Sequence, residues 1–253
     1  MIMEGSRRYL RNPPDEELMK HESDQRKGVA PPPLETAIPK DAHLVDLPAV
    51  DNLGLGDMPI AQAIRNRESR RAFADAAVSL DELSFLLWAT QGIRRVHPDG
   101  VWSMRTVPSG GARHPYETYL IVRRISGVEP GLYRYSALQH KLVELWTVRP
   151  QGVVDIAKAC YDQQSARDAA VTFVWTAVPY RTEWRYGPDS LKDILLTGGH
   201  ICQNLYLACE AIGLGTCAIV AYNQDLLDRL IGVDGHDEIS IYVAPVGRPA
   251  ESE

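Results

Sequence analysis

The chain has 253 residues, 45% hydrophobic and 24% charged, an ordinary globular composition with length enough for a sizeable core. A net charge of −6 and a sequence pI near 5.7 argue against nucleic acid and an anionic membrane surface as partners. The start carries Arg7, Arg8, Arg11, Pro13 and Pro14 but no signal-peptide core, and no segment approaches the roughly 18–20 apolar residues of a membrane span, so a cytoplasmic protein is expected.

Residues 1–58 read as an extended N-terminal arm, because Pro31, Pro32, Pro33, Pro39 and Pro48 interrupt any regular element; only 15–27 has helical character. Such an arm cannot build a core alone and packs on something else, and in a dimer the partner subunit is available. The compact domain is expected over 59–253. It opens with Pro59 at a first helical position and Ile60, Ala63 and Ile64 at helical spacing, ending near Arg65.

Ser79 and Glu82 make a capping-box pair ahead of Leu80, Leu83, Leu86, Leu87 and Trp88, and Gly92 stops that helix. Segments 117–124, 131–136 and 141–146 carry β-branched and aromatic residues between turn residues, and 170–178 reads as a buried strand. A long helix is expected from Ser190, with Asp193 as its capping partner, to Ile212, and Gly213 ends it. Strands over 215–222 and 238–246 flank a helix over 224–231. Without regular βαβ alternation, the fold class is α+β. Gly213 and Gly215 follow a helix and precede a strand, the reverse of a dinucleotide-binding turn. Cys160, Cys202, Cys209 and Cys217 show no C-x-x-C spacing, so they read as buried small hydrophobes rather than a dithiol or metal site.

Three constellations stand out. Arg67, Glu68, Ser69, Arg70 and Arg71 crowd guanidinium forks that match phosphate oxygens, although a bare arginine run is also what a solvated turn looks like. The loop 105–117 holds Pro108, Ser109, Gly110, Gly111 and Ala112, small residues that let a planar ligand approach backbone amides; the bland alternative is a surface turn. Gly198 and Gly199 lie inside a helix, where each costs roughly 1 kcal/mol relative to alanine, which suggests close approach of another helix at a subunit contact. His200 and Asn204, four apart on that helix, are either a satisfied structural pair or a ligand contact.

The R-x-S-x-R-x-F pattern at Arg67, Ser69, Arg71 and Phe73, the Pro108-Ser109 loop, the G-H-x-x-Q-N-L-x-L helix from Gly199 and the closing Pro245-Val246-Gly247-Arg248 occur in an order that resembles the nitroreductase-like FMN flavoproteins. The SagB-type dehydrogenase branch is the nearer match, over about 61–249. The resemblance implies an α+β sandwich assembled as an intertwined homodimer with two FMN sites at the interface. Carried over by motif, Arg67 and Arg71 hold the FMN phosphate and ribityl chain, Glu68 belongs to the same stretch, and Ser69 bonds the ring or ribityl group. Pro108, Ser109, Gly110 and Ala112 come from the other subunit. Gln163 takes the place of a ring-contacting amide, and Val220 and Ala221 present backbone N–H groups to the flavin N5 and O4 edge. Many relatives carry further basic phosphate ligands well beyond the closing glycine; here Arg248, with Arg105, is expected to serve.

In azoline-oxidising relatives a Lys-Tyr pair supplies the base, and Arg185-Tyr186 stands in that place. A guanidinium is not a base near neutral pH, which leaves Tyr186 as the catalytic acid or base. The activity implied is ping-pong transfer of hydride or electrons from NAD(P)H or an organic donor to a nitroaromatic, quinone or similar small molecule. Dehydrogenation of peptide azolines and a non-enzymatic flavin-binding module are the alternatives.

Overall fold

The computed structural model describes Arg11 and residues 22–250. Its frame is a seven-stranded antiparallel sheet in the order β1-β6-β5-β4-β7-β9-β8. The strands are β1 (Leu44–Asp46), β4 (Tyr116–Val122), β5 (Gly131–Ser136), β6 (Lys141–Trp146), β7 (Val171–Ala177), β8 (Gly215–Thr216) and β9 (Ile239–Gly247). A separate hairpin joins β2 (Ile93–Val96) to β3 (Ser103–Arg105). The helices are α1 (Ile60–Asn66), α2 (Leu80–Gln91), α3 (Ile156–Ala159), α4 (Gln164–Asp168), α5 (Tyr180–Tyr186), α6 (Ser190–Ala211) and α7 (Gln224–Ile231).

The two central strands, β4 and β7, are buried at every residue, as expected of strands covered on both faces. Side chains alternate between two cores with the strand period of two. Leu120, Phe173 and Trp175 join Leu83, Leu86, Leu87, Ile201 and Leu205 of α2 and α6 on one face. Tyr119, Ile121 and Val174 join Ile156, Leu227 and Leu230 of α3 and α7 on the other. The result is the α+β arrangement the sequence implied.

Local signals set several boundaries. Ser79 and Glu82 close a capping box at α2, and Gly92 is its C-cap. At α6 the expected cap does not form: Ser190 is buried inside the first turn, and Asp189 precedes it with no side-chain capping bond. A 3-10 turn over Gly187–Asp189 feeds straight into the helix, so the chain is already helical where a cap would stand. Gly213 adopts φ +73 and ends the helix as expected. The strand expected over 215–222 shortens to β8 plus a bridge between Ile219 and Val243.

Gly198 is explained by a strand residue. Tyr116 of β4 donates from Oη to the Ile194 carbonyl at 2.9 Å, and a Cβ on Gly198 would stand 2.6 Å from that oxygen. Gly199 meets nothing within 4 Å, so its side of α6 is open in this chain.

The helix expected over 15–27 lies mostly outside the described residues, and 24–28 form a turn. From there the described N-terminal segment runs without a helix longer than the turn at Val50–Asn52 and lies against its own chain. β1 pairs with β6, and Ser84 Oγ donates to the Pro48 carbonyl at 2.6 Å. Four buried arginines hold 32–37. Arg113 donates to Pro32 O, Arg181 to Pro33 O, Arg105 to Leu34 O, and Arg134 to Thr36 O and Ala37 O, at 2.7 to 3.2 Å. Residues 32–37 join no strand ladder, so the carbonyls of this strap take guanidinium donors instead. Glu117 completes the latch, paired with Arg134 and Arg181 and accepting from Thr36 N at 2.7 Å.

Candidate active site: two half-sites along one helix

The first half-site gathers around Tyr206 on α6. The chain leaves α1 at Arg67, and the Arg70 N–H donating to Thr216 O at 3.0 Å and a bridge between Phe73 and Pro249 fix 67–73 against β8. Arg67 lies over the Tyr206 ring, 5.5 Å from its centroid, and Ser69 Oγ sits 2.9 Å from Tyr206 Oη, which also accepts from Ala218 N at 2.8 Å. Glu68 is paired with Arg70 at 2.9 Å, and Arg70 packs against Gly215, so these two serve the turn. Arg71 is exposed, and among the described residues its guanidinium reaches only the Ser69 carbonyl, at 3.4 Å.

Val220 and Ala221 stand in the same region, Val220 at 73% exposure. Neither amide N–H makes a backbone hydrogen bond among the described residues. Gln163 donates from Nε2 to the Ala221 carbonyl at 3.0 Å, which fixes the plane of that peptide. It follows Tyr161 and Asp162, both at positive φ, 54° and 58°.

The second half-site is the Pro108–Ala112 turn against the first half of α6. Ser109 Oγ accepts from His114 N at 3.1 Å and Thr197 Oγ1 at 3.4 Å, and His200 Nδ1 lies 3.3 Å from Pro108 O. Asn204 instead donates to the Ala89 carbonyl at 2.8 Å, so the two polar residues of α6 are satisfied separately and not as a pair. Glycine fits twice here: the Asp193 carboxylate stands where a Cβ on Gly110 would be, and at Gly111, with φ +57, Tyr186 Oη would lie 2.7 Å from a Cβ. The turn borders a cavity of about 370 Å³ lined by Arg94, Met104, Thr106, Ser109 and Ala112 among others. Thr197 and Tyr206 are nine residues apart on α6, so about 13 Å of helix separates the two half-sites on this chain.

A sequence model of the Nitroreductase family matches residues 64–248. The chain belongs to the nitroreductase family. A protein of Methanocaldococcus jannaschii that bears the name nitroreductase is 29% identical over 211 residues, 83% of this chain and 99% of its own. A nitroreductase crystal structure from Ralstonia eutropha superposes with a TM-score of 0.62 at 25% identity, over 87% of this chain and 99% of that one. The trifolitoxin-processing protein TfxB of Rhizobium leguminosarum bv. trifolii is 27% identical over 164 residues; the match covers 62% of this chain and 44% of TfxB.

In this nitroreductase-family chain the two arginines expected to supplement the phosphate ligands are otherwise engaged. Arg105 is buried and donates to Gln91, Leu34 and Ser103; burial pulls it down to about 10, and it belongs to the latch. Arg248 forks onto both Glu82 oxygens at 2.9 and 3.0 Å, tying the C-terminal segment to the start of α2. His114, lowered to about 3 by burial and then by Arg105, is neutral across the physiological range and is no proton shuttle. All four cysteines are buried and unpaired, with burial pushing Cys160 and Cys202 up to about 12. Tyr206 and Thr197 have no place in the sequence analysis, and Asp193 figures there only as a helix-capping residue. Tyr206 meets Ser69 across 137 residues and has no local signature. No described helix is long and apolar enough to cross a membrane.

Proposed function

We propose that this chain is an FMN-dependent oxidoreductase acting as a homodimer, in which the Tyr206 half-site of one chain faces the Pro108–Ala112 turn of its partner. The observation that carries the reading is that Tyr206 links the Arg67–Arg71 turn, through Ser69, to the segment at Ala218, two residues before Val220 and Ala221, whose amides make no backbone hydrogen bond among the described residues. A phosphate-bearing flavin fits this set: charge and forks for the phosphate, fixed amide dipoles for the ring edge. Ser69 and Tyr206 orient the part between, and Gln163 holds the Val220–Ala221 segment by its carbonyl. Arg248 reaches such a phosphate only by releasing Glu82, which leaves the main charge to Arg67 and Arg71.

Held by these residues, FMN would supply two-electron transfer between NAD(P)H or an organic donor and a quinone or nitroaromatic taken in turn at the same pocket, which gives ping-pong kinetics. The protein's part is to bind, orient and exclude water. Tyr186 Oη, beside Gly111, is placed to hydrogen-bond an incoming molecule.

The outer face of α1 and α6 supports the dimer. Ile60 and Ile64 on α1 and Leu191, Leu195 and Leu196 on α6 are all exposed, and Leu191, Leu195 and Gly199 form one stripe at spacing four. The N-terminal strap is satisfied on its own subunit, so this apolar face is the stronger argument for a partner. Purified protein should be yellow and about twice 28.2 kDa in solution. A stable monomer loaded with FMN contradicts a shared site.

The likeness to a trifolitoxin-processing protein favours a second reading, a processing step on a peptide, for which the reaction considered is azoline oxidation. Arg185 weighs against it, since the proton then falls to Tyr186 alone. Tyr186→Phe separates the two: azoline oxidation is lost, whereas NAD(P)H-driven quinone reduction stays within about tenfold.

A further inference from the structure

Arg185 differs from the arginines around it. Arg113 has three carbonyl acceptors and Arg181 a carboxylate, but among the described residues Arg185 has no acidic partner. Its guanidinium lies over the ring of Tyr186, 5.6 Å from the centroid. Its Nε would be 3.0 Å from a Cβ on Gly111, so the residue is pressed against the Pro108–Ala112 turn and is half-buried. Arg113 is itself lowered to about 10 by burial and then by Arg181 and Arg185, so positive charge crowds this corner. Arg94, exposed on the cavity at the same turn, likewise has no acidic partner among the described residues. The carboxylate against the turn, Asp193, makes no ion pair with Arg185, and burial followed by Asp189 raises its pKa. A partly desolvated cation with no counter-charge is costly unless an anion arrives to meet it.

We propose that this half-site selects small-molecule electron acceptors that carry a carboxylate, with Arg185 recognising that charge. The inference rests on the flavin-site reading above. A lysine at this place would offer a point charge and, once desolvated, a base; the guanidinium offers a planar fork matched to a carboxylate and keeps its proton. Tyr186 Oη lies at the same glycine, so an acceptor anchored on Arg185 meets the phenol in a fixed orientation.

The test uses the flavin-loaded parent dimer with 4-nitrobenzoate and methyl 4-nitrobenzoate, the same ring with and without the charge, with binding followed by the change in flavin absorbance. The parent should bind the acid at least about tenfold tighter than the ester, and added salt should erode that preference. In Arg185→Gln the acid-over-ester preference should fall by about tenfold to a hundredfold, and Arg185→Lys should keep part of it. No binding of the acid, no preference in the parent, or equal weakening of both probes in Arg185→Gln overturns the proposal. Loss of flavin from Arg185→Gln alone also overturns it, because the guanidinium then serves the cofactor while the flavin reading stands. A parent that takes up no FMN overturns that reading and this proposal with it.

Discussion

Two groups of arginines in this chain do opposite work. Arg105, Arg113, Arg134 and Arg181 are buried and spend their donors on carbonyls of the proline-rich strap, on Glu117 and on each other's neighbourhood. Arg67 and Arg71 stand at the surface with a ring face and one long backbone contact between them. The same side chain is a structural cross-link where its acceptors are built into the fold and, on the function proposed here, would be a ligand-binding group where they are missing. Counting arginines near a motif therefore says little; asking which of their N–H groups already have acceptors says which can hold an anion.

The comparison breaks most sharply at Glu117. Removing its charge strands Arg134 and Arg181 in the interior, so Glu117→Ala should lose about 3–5 kcal/mol of stability in urea unfolding. The latch also sets an acid limit. Burial by itself raises the Glu117 carboxyl, but Arg181 and Arg134 overcome it and hold the group below its ordinary value. A carboxylate depressed in the folded state contributes stability that is present above its unfolded value and lost as pH falls through the folded one. The parent should therefore weaken in acid below the usual carboxylate range, and Glu117→Gln should flatten that part of the profile. An unchanged slope contradicts the latch.

The surface arginines should behave differently. Arg67→Ala and Arg71→Ala should each weaken FMN binding by about tenfold to a hundredfold, measured by flavin fluorescence on titration, with unfolding of the flavin-free protein within about 0.5 kcal/mol of the parent. A loss of fold with retained flavin would place these residues with the buried set. The smallest effect is expected at Tyr186: conversion to phenylalanine should change quinone reduction by less than about 1.4 kcal/mol in barrier.

Legibility followed sequence distance. Strands β5 and β6 and helix α7 lie at 131–136, 141–146 and 224–231, as read from apolar runs between turn residues, because those runs and their punctuation are local. β1 was missed because three residues of Leu44–Asp46 become a strand only by pairing with β6. α5 was missed because Tyr180–Tyr186 mixes charged and aromatic residues without an apolar stripe. The candidate site divides the same way. Arg67 to Arg71 and Pro108 to Ala112 are contiguous and were visible, whereas Tyr206 joins Ser69 only through the fold. Nothing local shows that Gln91 and Leu34 claim Arg105, or that Glu82 claims Arg248.

On the proposed function, each flavin site is completed by two chains. That sharing is tested most directly by co-expressing two differently tagged variants, each defective in one half-site: Arg67→Ala/Arg71→Ala and Ala112→Phe, the latter filling the cavity at the turn. Each alone should purify as a folded dimer with little FMN. Random pairing makes half of the dimers mixed, with one intact site in each, so the co-expressed pool should regain about a quarter of the parent's flavin. A mixed dimer isolated through both tags that stays colourless, while each variant is folded and dimeric, would contradict a site shared between chains.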